Sequence, residues 1–180
     1  MFDSVNNHTK QLAEAISNGI QKGGSLSQVY KVNTTSSPGY TEVSLFHGLA
    51  LGSPVYFANP SAATLQWIFQ SLGPGWENRT FQDVPSAVFA TGGGIHQGTE
   101  STIASLSRGL LNFGFRPVTP DVEINGFYGS FGASAVTGTP PYFLDETPID
   151  QHFIDAAILF GEKIAKTVQQ EWKVRCSKSG

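Results

Sequence analysis

Two stretches of this chain are almost free of polar side chains, namely Leu45–Ser53 and Val84–Ala90. Each is followed by a turn-rich segment and then by an amphipathic segment. A short apolar run bounded by turns is typical of a strand buried on both faces, and such strands occur in parallel sheets covered by helices. This alternation predicts an α/β fold with three layers, in which a parallel sheet lies between two layers of helices.

The segments around these strands carry apolar residues at helical spacing, as Leu12, Ala13, Ile16 and Ile20 do in the first of them. Glycine or proline marks their ends. The predicted helices are Thr9 to about Gln21, Pro60 to about Leu72 with Pro60 in its first turn, Thr99 to Phe113 with Gly114 as its cap, and Ile149 to Trp172. Shorter strands are predicted at Ser27–Val32 and Phe115–Val118, and an irregular glycine- and aromatic-rich segment at Gly126–Pro141.

Composition indicates one globular domain over residues 1–180, with 39% apolar residues. The net charge is only −3 and no run of lysine and arginine occurs, which argues against nucleic-acid binding. The single cysteine, Cys176, excludes an internal disulfide, and four scattered histidines do not make a metal site. No apolar stretch is long enough to span a membrane and no signal peptide opens the chain, so we expect a cytoplasmic protein.

In a parallel sheet, ligands bind outside the carboxyl ends of the strands, so the loops there are candidate sites. The first loop leads directly into the first predicted helix, whose free N–H groups and positive end attract a phosphate. The loop also contains hydroxyl donors and turn-forming residues. Its candidate phosphate-binding residues are Ser4, Asn6, Asn7, His8 and Thr9. The alternative is a simple helix cap by serine or asparagine.

The second loop, residues 52–60, contains two adjacent aromatic residues at the end of a predicted strand. They follow a proline and a valine: Pro54, Val55, Tyr56 and Phe57. Aromatic side chains at a strand end are unusual unless they pack on something, and a flavin ring is one such partner. The alternative is that they belong to the core or to a contact between subunits.

The third loop follows the second apolar strand and contains three consecutive glycines. It comprises Thr91, Gly92, Gly93 and Gly94, with His96 shortly after. Glycine loses much conformational freedom on folding, so three consecutive glycines are costly. They are expected where the backbone must approach a flat ligand closely, because glycine has no side chain to prevent it. Its N–H groups are then placed to hold the pyrimidine end of a flavin. The alternatives are a flexible hairpin and, for His96, a solvated loop residue rather than one that steers a substrate or a proton.

Four segments occur in the order of a known family. SVNNHTKQLAEAI, ALGSPVYFANPSA, VFATGGGIHQGTESTIASLSRGLLNFGF and YGSFGASAVTG resemble the WrbA-like NAD(P)H:quinone oxidoreductases, a branch of the flavodoxin-like flavoproteins. Each piece is weak alone, but four in order over nearly the whole chain are a specific signal.

The resemblance implies non-covalent FMN, with the first loop at the phosphate, Pro54–Phe57 beside the ring and Thr91–Gly94 around its pyrimidine edge. It also implies a homo-oligomer, a tetramer or a dimer, in which Phe127–Ala135 reaches toward a neighbouring subunit's flavin. The reaction it implies has two steps: NADH or NADPH gives a hydride to the flavin and leaves, and a quinone then takes two electrons. The cofactor carries this chemistry, so no acid–base side chain is required.

The chain departs from the family in two places. Only Met1, Phe2 and Asp3 precede the first loop, where the family has a complete apolar strand, so we expect the first strand to be truncated here and the natural chain to start earlier. Asn7 stands where the family commonly has glycine. Because asparagine tolerates the left-handed conformation better than most residues, we expect the loop backbone to be kept.

Two other functions are compatible with the same residues. A flavodoxin-like domain with a damaged first strand can act as a non-catalytic binding or regulatory module that has weakened or lost FMN binding. A one-electron carrier is the third candidate, although such carriers are usually strongly acidic and the net charge here is only −3.

Overall fold

The computed structural model describes residues 1–94, 97–121, 131–136 and 149–178. Within these ranges, in chain order, lie helices α1 (His8–Lys22) and α2 (Tyr40–Val43), strands β1 (Leu49–Tyr56) and β2 (Asn59–Pro60), helix α3 (Ala62–Trp67), strand β3 (Pro85–Gly92), helix α4 (Thr99–Asn112), strands β4 (Arg116–Pro117) and β5 (Ala133–Val136), and helix α5 (Gln151–Lys178). A π-helical turn, Ile68–Leu72, and a 3₁₀ turn, Gly73–Gly75, continue α3.

Strand β3 is the centre of the sheet, and all eight of its residues are buried. It pairs in parallel with β1, with Leu49 opposite Ser86 and Pro54 opposite Thr91. Its other edge pairs in parallel with β4 at the start and with β5 at the end. Among the strands of the described residues, β2 alone is antiparallel, because it folds back on β1 as a hairpin. The buried, mostly parallel sheet confirms the predicted class.

The first three residues form a short piece of strand on the far side of β1. Phe2 makes parallel bridges to both Lys31 and Gly52. Its N–H donates to the carbonyl of Tyr30 at 3.0 Å, and its carbonyl accepts from Val32 at 2.9 Å. Among the described residues, the strand predicted at Ser27–Val32 is reduced to one bridge, which Lys31 forms with Phe2.

Two predicted boundaries in the middle of the chain are wrong. Strand β1 begins four residues later than predicted, because its partner β3 begins opposite Leu49. It also continues through Pro54 to Tyr56, which the sequence had assigned to a loop. Pro60 lies in β2 rather than in a helix, and α3 begins after Ser61, whose hydroxyl accepts from the N–H of Thr64 at 3.1 Å.

Helices α1, α4 and α5 lie where helical periodicity predicts them, and α5 extends beyond Trp172 to Lys178, whereas the short helix α2 is not predicted by the sequence. Gly114 has the positive φ of +87° that a left-handed helix cap requires. Part of the segment predicted as irregular, Gly126–Pro141, is strand β5, which forms because the exposed edge of β3 pairs with it. Apart from Phe131 and Gly132, which directly precede β5, the rest of that segment lies outside the described residues.

Apolar residues on the two faces of the sheet form two separate cores. Because side chains alternate along a strand, Ala87 and Phe89 of β3 face α1 and α5, whereas Val88 and Ala90 face α4 and the α3 region. This arrangement is the predicted sandwich of three layers. In the described part of the chain, no helix is long and apolar enough to cross a membrane.

Candidate functional site

All three predicted loops meet at the carboxyl ends of β1 and β3. The hydroxyls of Thr9 and Thr91, both buried, lie 2.7 Å apart and join the first loop to the third. The hydroxyl of Ser101, in the first turn of α4, donates to the carbonyl of Ala58 at 2.8 Å and joins the second loop to the helix after the third. Residues distant in sequence therefore share one edge of the sheet.

The first loop ends in an uncapped helix. Asn7 precedes α1 in the left-handed conformation, with φ 61° and ψ 0°, and its side chain makes no capping hydrogen bond. The conformation expected of asparagine here is therefore confirmed, whereas the alternative that a side chain caps the helix is wrong for Asn7. By contrast, Ser61 caps α3 with its own hydroxyl.

Ser4 has a buried hydroxyl for which the described residues provide no hydrogen-bond partner. A buried polar group without a partner is costly and rare, and an unrecorded ligand is one of its ordinary explanations. His8 and Thr9, the first residues of α1, are buried beside the same loop. An unpaired hydroxyl next to an uncapped helix start suits an anion such as a phosphate, which accepts hydrogen bonds from both. The residues present therefore fit the phosphate end of FMN.

The second loop is a tight hairpin whose tip points into solvent. Phe57 and Ala58 both have positive φ, 49° and 63°, as the central residues of a type I′ turn do. Phe57 is 98% exposed and Tyr56 is 43% exposed, so neither belongs to the core of this chain. Such strain in residues other than glycine is concentrated at functional sites.

Strand β1 ends with Pro54, Val55 and Tyr56, which directly precede the exposed tip of the hairpin. Burial first, and the negative charge of Asp3 second, raise the pKa of Tyr56 above its ordinary value. The phenol is therefore protonated at neutral pH and keeps a hydroxyl that can donate a hydrogen bond.

Space rather than a backbone angle restricts two of the three glycines of the third loop, Gly92 and Gly94. None of them has a positive φ. A Cβ on Gly92 would lie 2.9 Å from the methyl group of Thr99, and one on Gly94 would lie 2.8 Å from the side chain of Gln97. Gly93 is exposed, and nothing described comes closer than 3.8 Å to its Cβ position. The backbone at Gly93 is thus open to a ligand, and His96 lies outside the described residues.

Sequence reasoning missed three contributors to this edge. Gly98 begins α4 with φ +97°, and a Cβ there would lie 2.5 Å from the Cα of Ala58. Ser101 holds the hairpin tip, and Asp3 acts on Tyr56. Gly98, which ends a glycine-rich loop before a helix, was visible in the sequence, but the contact with Ala58 depends on tertiary structure. No group of three or more potential metal ligands occurs among the residues that the structure describes.

Similarity to known proteins agrees with this architecture, although no protein-family model matches the chain. It is 23% identical over 197 aligned residues to an "NAD(P)H dehydrogenase (quinone)" of Archaeoglobus fulgidus, covering 94% of this chain and 96% of that protein. It is 25% identical over 172 residues to "NAD(P)H dehydrogenase (quinone) 3" of Rhizobium meliloti, covering 86% and 79%.

Among solved structures, a WrbA-like flavodoxin from Agrobacterium tumefaciens superposes with a TM-score of 0.72 at 17% identity and covers 94% of both chains. An archaeal flavodoxin superposes with a TM-score of 0.62 at 19% identity. These structures show a shared fold, and the curated relatives share the sequence over most of its length. The chain therefore has a flavodoxin-like fold, and its sequence is similar to proteins named NAD(P)H dehydrogenase (quinone), which agrees with the resemblance of its four ordered segments.

Proposed function

We propose that this chain binds FMN at the carboxyl edge of its sheet and uses NADH or NADPH to reduce quinones by two electrons. The observation that carries the proposal is the buried hydroxyl of Ser4, for which the described residues offer no partner, beside a helix α1 that Asn7 does not cap. The names of the curated relatives support the reaction class.

The phosphate of FMN would be held by Ser4, Asn6, Asn7, His8 and Thr9. The hydroxyl of Ser4 would gain the partner it lacks, and the first N–H groups of α1 would donate to the phosphate oxygens. No lysine or arginine is needed there, because the positive end of the helix supplies part of the charge. The left-handed Asn7 turns the backbone into this position.

The flavin ring would lie between the second and third loops. Pro54, Val55, Tyr56 and Phe57 would flank its face, while Thr91, Gly92, Gly93 and Gly94 would line its pyrimidine edge. When bound, FMN supplies the hydride acceptor and donor of the reaction. The chain itself would orient the ring with its exposed aromatic side chains. The hydroxyl of Thr9 would hold Thr91 in place by a hydrogen bond, and the space around Gly93 would let the ring approach the backbone.

The remaining assignments belong to the same proposal. The chain would act as a single domain over residues 1–180, in the cytoplasm, and assemble as a dimer or tetramer. Phe131, within the segment Phe127–Ala135, is 65% exposed and would contact a neighbouring subunit. An exposed aromatic residue of this size is a common component of subunit interfaces.

Titration of the purified protein with FMN tests the proposal, followed by flavin absorption and fluorescence. We expect one FMN per chain, and oxidation of NADH or NADPH that depends on benzoquinone. Protein that takes up no FMN contradicts the proposal. FMN binding without benzoquinone turnover favours the non-catalytic module, and a stable blue semiquinone during reduction favours the one-electron carrier.

Substitution of Ser4 by alanine tests the phosphate end separately. Ser4→Ala should weaken FMN binding by a factor of about 10 to 150, since a hydrogen bond to a charged group contributes about 1.5–3 kcal/mol. It should weaken riboflavin binding little, because riboflavin has no phosphate. The matched control is Ser107→Ala, which removes a buried serine hydroxyl two turns into α4 and should leave both affinities unchanged.

A further inference from the structure

The tip of the hairpin between β1 and β2 has an unfavourable backbone conformation. Its central residues, Phe57 and Ala58, both have positive φ, which is disfavoured for residues with a Cβ. Turns of this type normally carry asparagine, aspartate or glycine at these positions. The ladder beneath the tip is short: it pairs Tyr56 with Asn59 and Val55 with Pro60, and proline has no N–H to donate. Contacts outside this ladder are therefore needed to hold the tip.

Side chains bind both carbonyl groups of the tip. The side-chain amide of Asn59 donates to the carbonyl of Phe57 at 2.8 Å. The hydroxyl of Ser101 donates to the carbonyl of Ala58, also at 2.8 Å. Asn59 belongs to the hairpin and moves with it, whereas Ser101 belongs to α4, which packs on the central strand β3. Ser101 therefore connects the tip to the rigid part of the fold.

The start of α4 is shaped to receive the tip. A Cβ on Gly98 would lie 2.5 Å from the Cα of Ala58 and 3.2 Å from its nitrogen, so only glycine leaves room for the hairpin here. The hydroxyl of Ser101 also lies 3.0 Å from the carbonyl of Gly98. Because a hydroxyl has one proton to donate, the two carbonyls share it. The hydroxyl thus joins the tip to the residue that precedes α4.

The side chain that this contact serves is Phe57. It is 98% exposed, so the backbone of the tip sets its position and packing within the chain does not. In the proposed site, Phe57 flanks the face of the flavin ring. An aromatic side chain whose backbone is already held loses less conformational freedom when the ligand binds, and this strengthens binding. Ser101 contacts Ala58 and acts on the ring only through the tip.

We propose that Ser101 is a positioning residue of the flavin site, which fixes the hairpin tip to the start of α4 and so holds Phe57 where it meets the flavin ring. This inference rests on the proposed function, because it assigns Ser101 a role in that same site. It concerns the ring end, whereas Ser4 serves the phosphate end. The two residues should therefore respond differently to a flavin that has no phosphate.

Binding of FMN and of riboflavin to the Ser101→Ala variant tests this role, followed by quenching of flavin fluorescence. Both affinities should fall by the same factor, about two- to twelvefold, the range that corresponds to one net hydrogen bond. Ser4→Ala, by contrast, should weaken FMN binding far more than riboflavin binding. Equal affinities for Ser101→Ala and the parent would overturn the role of Ser101 in the site.

Two further variants separate the hydroxyl from general effects on the fold. Ser101→Thr keeps the hydroxyl and adds a methyl group at an exposed position, so it should bind both flavins as the parent does. Ser44→Ala is the matched control, because it also removes a serine hydroxyl that donates to a backbone carbonyl at 2.8 Å, that of Thr41, at the end of α2. It should leave both affinities unchanged. If Ser101→Thr binds as weakly as Ser101→Ala, the hydroxyl is not responsible.

Hydrogen exchange of the protein without flavin measures the tip itself. In Ser101→Ala, a peptide that covers residues 55–60 should exchange about two- to twelvefold faster, while peptides from β3 should exchange as in the parent. Unchanged exchange at the tip would show that Ser101 does not hold it. If the parent binds neither flavin, the proposed function is wrong and so is the part of Ser101 in it, while exchange still decides whether Ser101 holds the tip.

Relief of the strain at Ala58 provides a second test of the same contact. Ala58→Gly makes the left-handed conformation favourable without help from α4, because glycine has no Cβ. In the Ala58→Gly background, Ser101→Ala should change exchange at the tip and affinity for both flavins by less than about twofold. An equally large effect of Ser101→Ala in both backgrounds would show that Ser101 does not act by holding a strained tip.

Discussion

At the scale of single residues, the first loop depends on how well asparagine adopts a left-handed conformation. Asn7 has φ 61° immediately before α1, where it turns the chain so that the helix start faces the edge of the sheet. Residues with a Cβ other than asparagine and aspartate rarely adopt this conformation, because the Cβ approaches the following carbonyl. The side chain at position 7 therefore matters more for its backbone angles than for its hydrogen bonds.

Substituting Asn7 tests this argument. Asn7→Ala should lower the free energy of unfolding by about 1 kcal/mol, whereas Asn7→Gly should be as stable as the parent or slightly more stable. Urea unfolding of both variants measures the difference. FMN affinity should follow the same order, with the glycine variant close to the parent. An alanine variant as stable as the parent would show that the left-handed turn is not needed.

Burial of the amino group of Met1 makes the stability of the fold depend on pH. Its pKa falls from 8.0 to about 5 on burial. Between these values the unfolded chain holds a proton that the folded chain does not, so the free energy of unfolding rises with pH. The rise from pH 5 to pH 8 should be about 4 kcal/mol, at 1.36 kcal/mol for each pKa unit.

Denaturant unfolding between pH 4 and pH 9 measures this slope. The same protein acetylated at its N-terminus is the control, because it has no titrating amine at that position. The difference in stability between the two forms isolates the amine from the carboxylates and histidines. Parallel curves over the whole range would show that the amine is not buried in solution.

At the scale of elements, α1 and α5 pack so closely that two glycines meet at their crossing. A Cβ on Gly19 would lie 1.9 Å from the carbonyl oxygen of Ile158, and one on Gly161 would lie 2.2 Å from that of Ile16. Backbone atoms cannot move aside as the end of a flexible side chain can. The contact between these helices therefore requires glycine at both positions.

Alanine at either crossing position should be destabilising, even though alanine favours helices. Gly19→Ala and Gly161→Ala should each lower the free energy of unfolding by about 1–3 kcal/mol, as overpacking does. Gly109→Ala is the control: it lies within α4 with nothing within 4 Å of its Cβ position, and should be stabilised by about 0.5–1 kcal/mol. Stabilisation at all three positions would contradict the close crossing.

At the scale of the whole molecule, the site depends on contacts between distant parts of the chain. Thr9 begins α1 and Thr91 ends the third strand along the chain, yet their hydroxyls form one buried hydrogen bond. Because both side chains are buried, neither hydroxyl has solvent as a substitute partner. The bond therefore couples the predicted phosphate loop to the predicted ring loop.

A double-mutant cycle measures this coupling. Thr9→Val and Thr91→Val should each cost about 1–3 kcal/mol in stability, because each leaves the other hydroxyl buried and unpaired. The double variant should cost less than the sum of the two, because no unpaired hydroxyl remains. Urea unfolding of the four proteins without FMN supplies the values. Strict additivity would show that the two loops are not coupled through this bond.

The sequence alone determined the two long central strands, the three long helices that cover the sheet, and the loops that carry the candidate site. These signals are local: each spans only a few residues, so it can be recognised from the sequence without knowledge of the fold. Examples are the apolar run Val84–Ala90, the helical period in α1 and the glycine at position 114. Asn7 was correctly expected to be left-handed for the same reason. The four ordered segments added the family resemblance, which the curated relatives confirm.

The tertiary structure decided where strands begin, what the loops touch and where strain lies. Strand β1 starts at Leu49 because β3 offers a partner there, and in the described part of the chain Ser27–Val32 is reduced to the bridge between Lys31 and Phe2. The contacts between Thr9 and Thr91 and between Ser101 and Ala58 join residues 82 and 43 positions apart. Pairing of this kind depends on distances between elements, which local patterns of polarity do not encode.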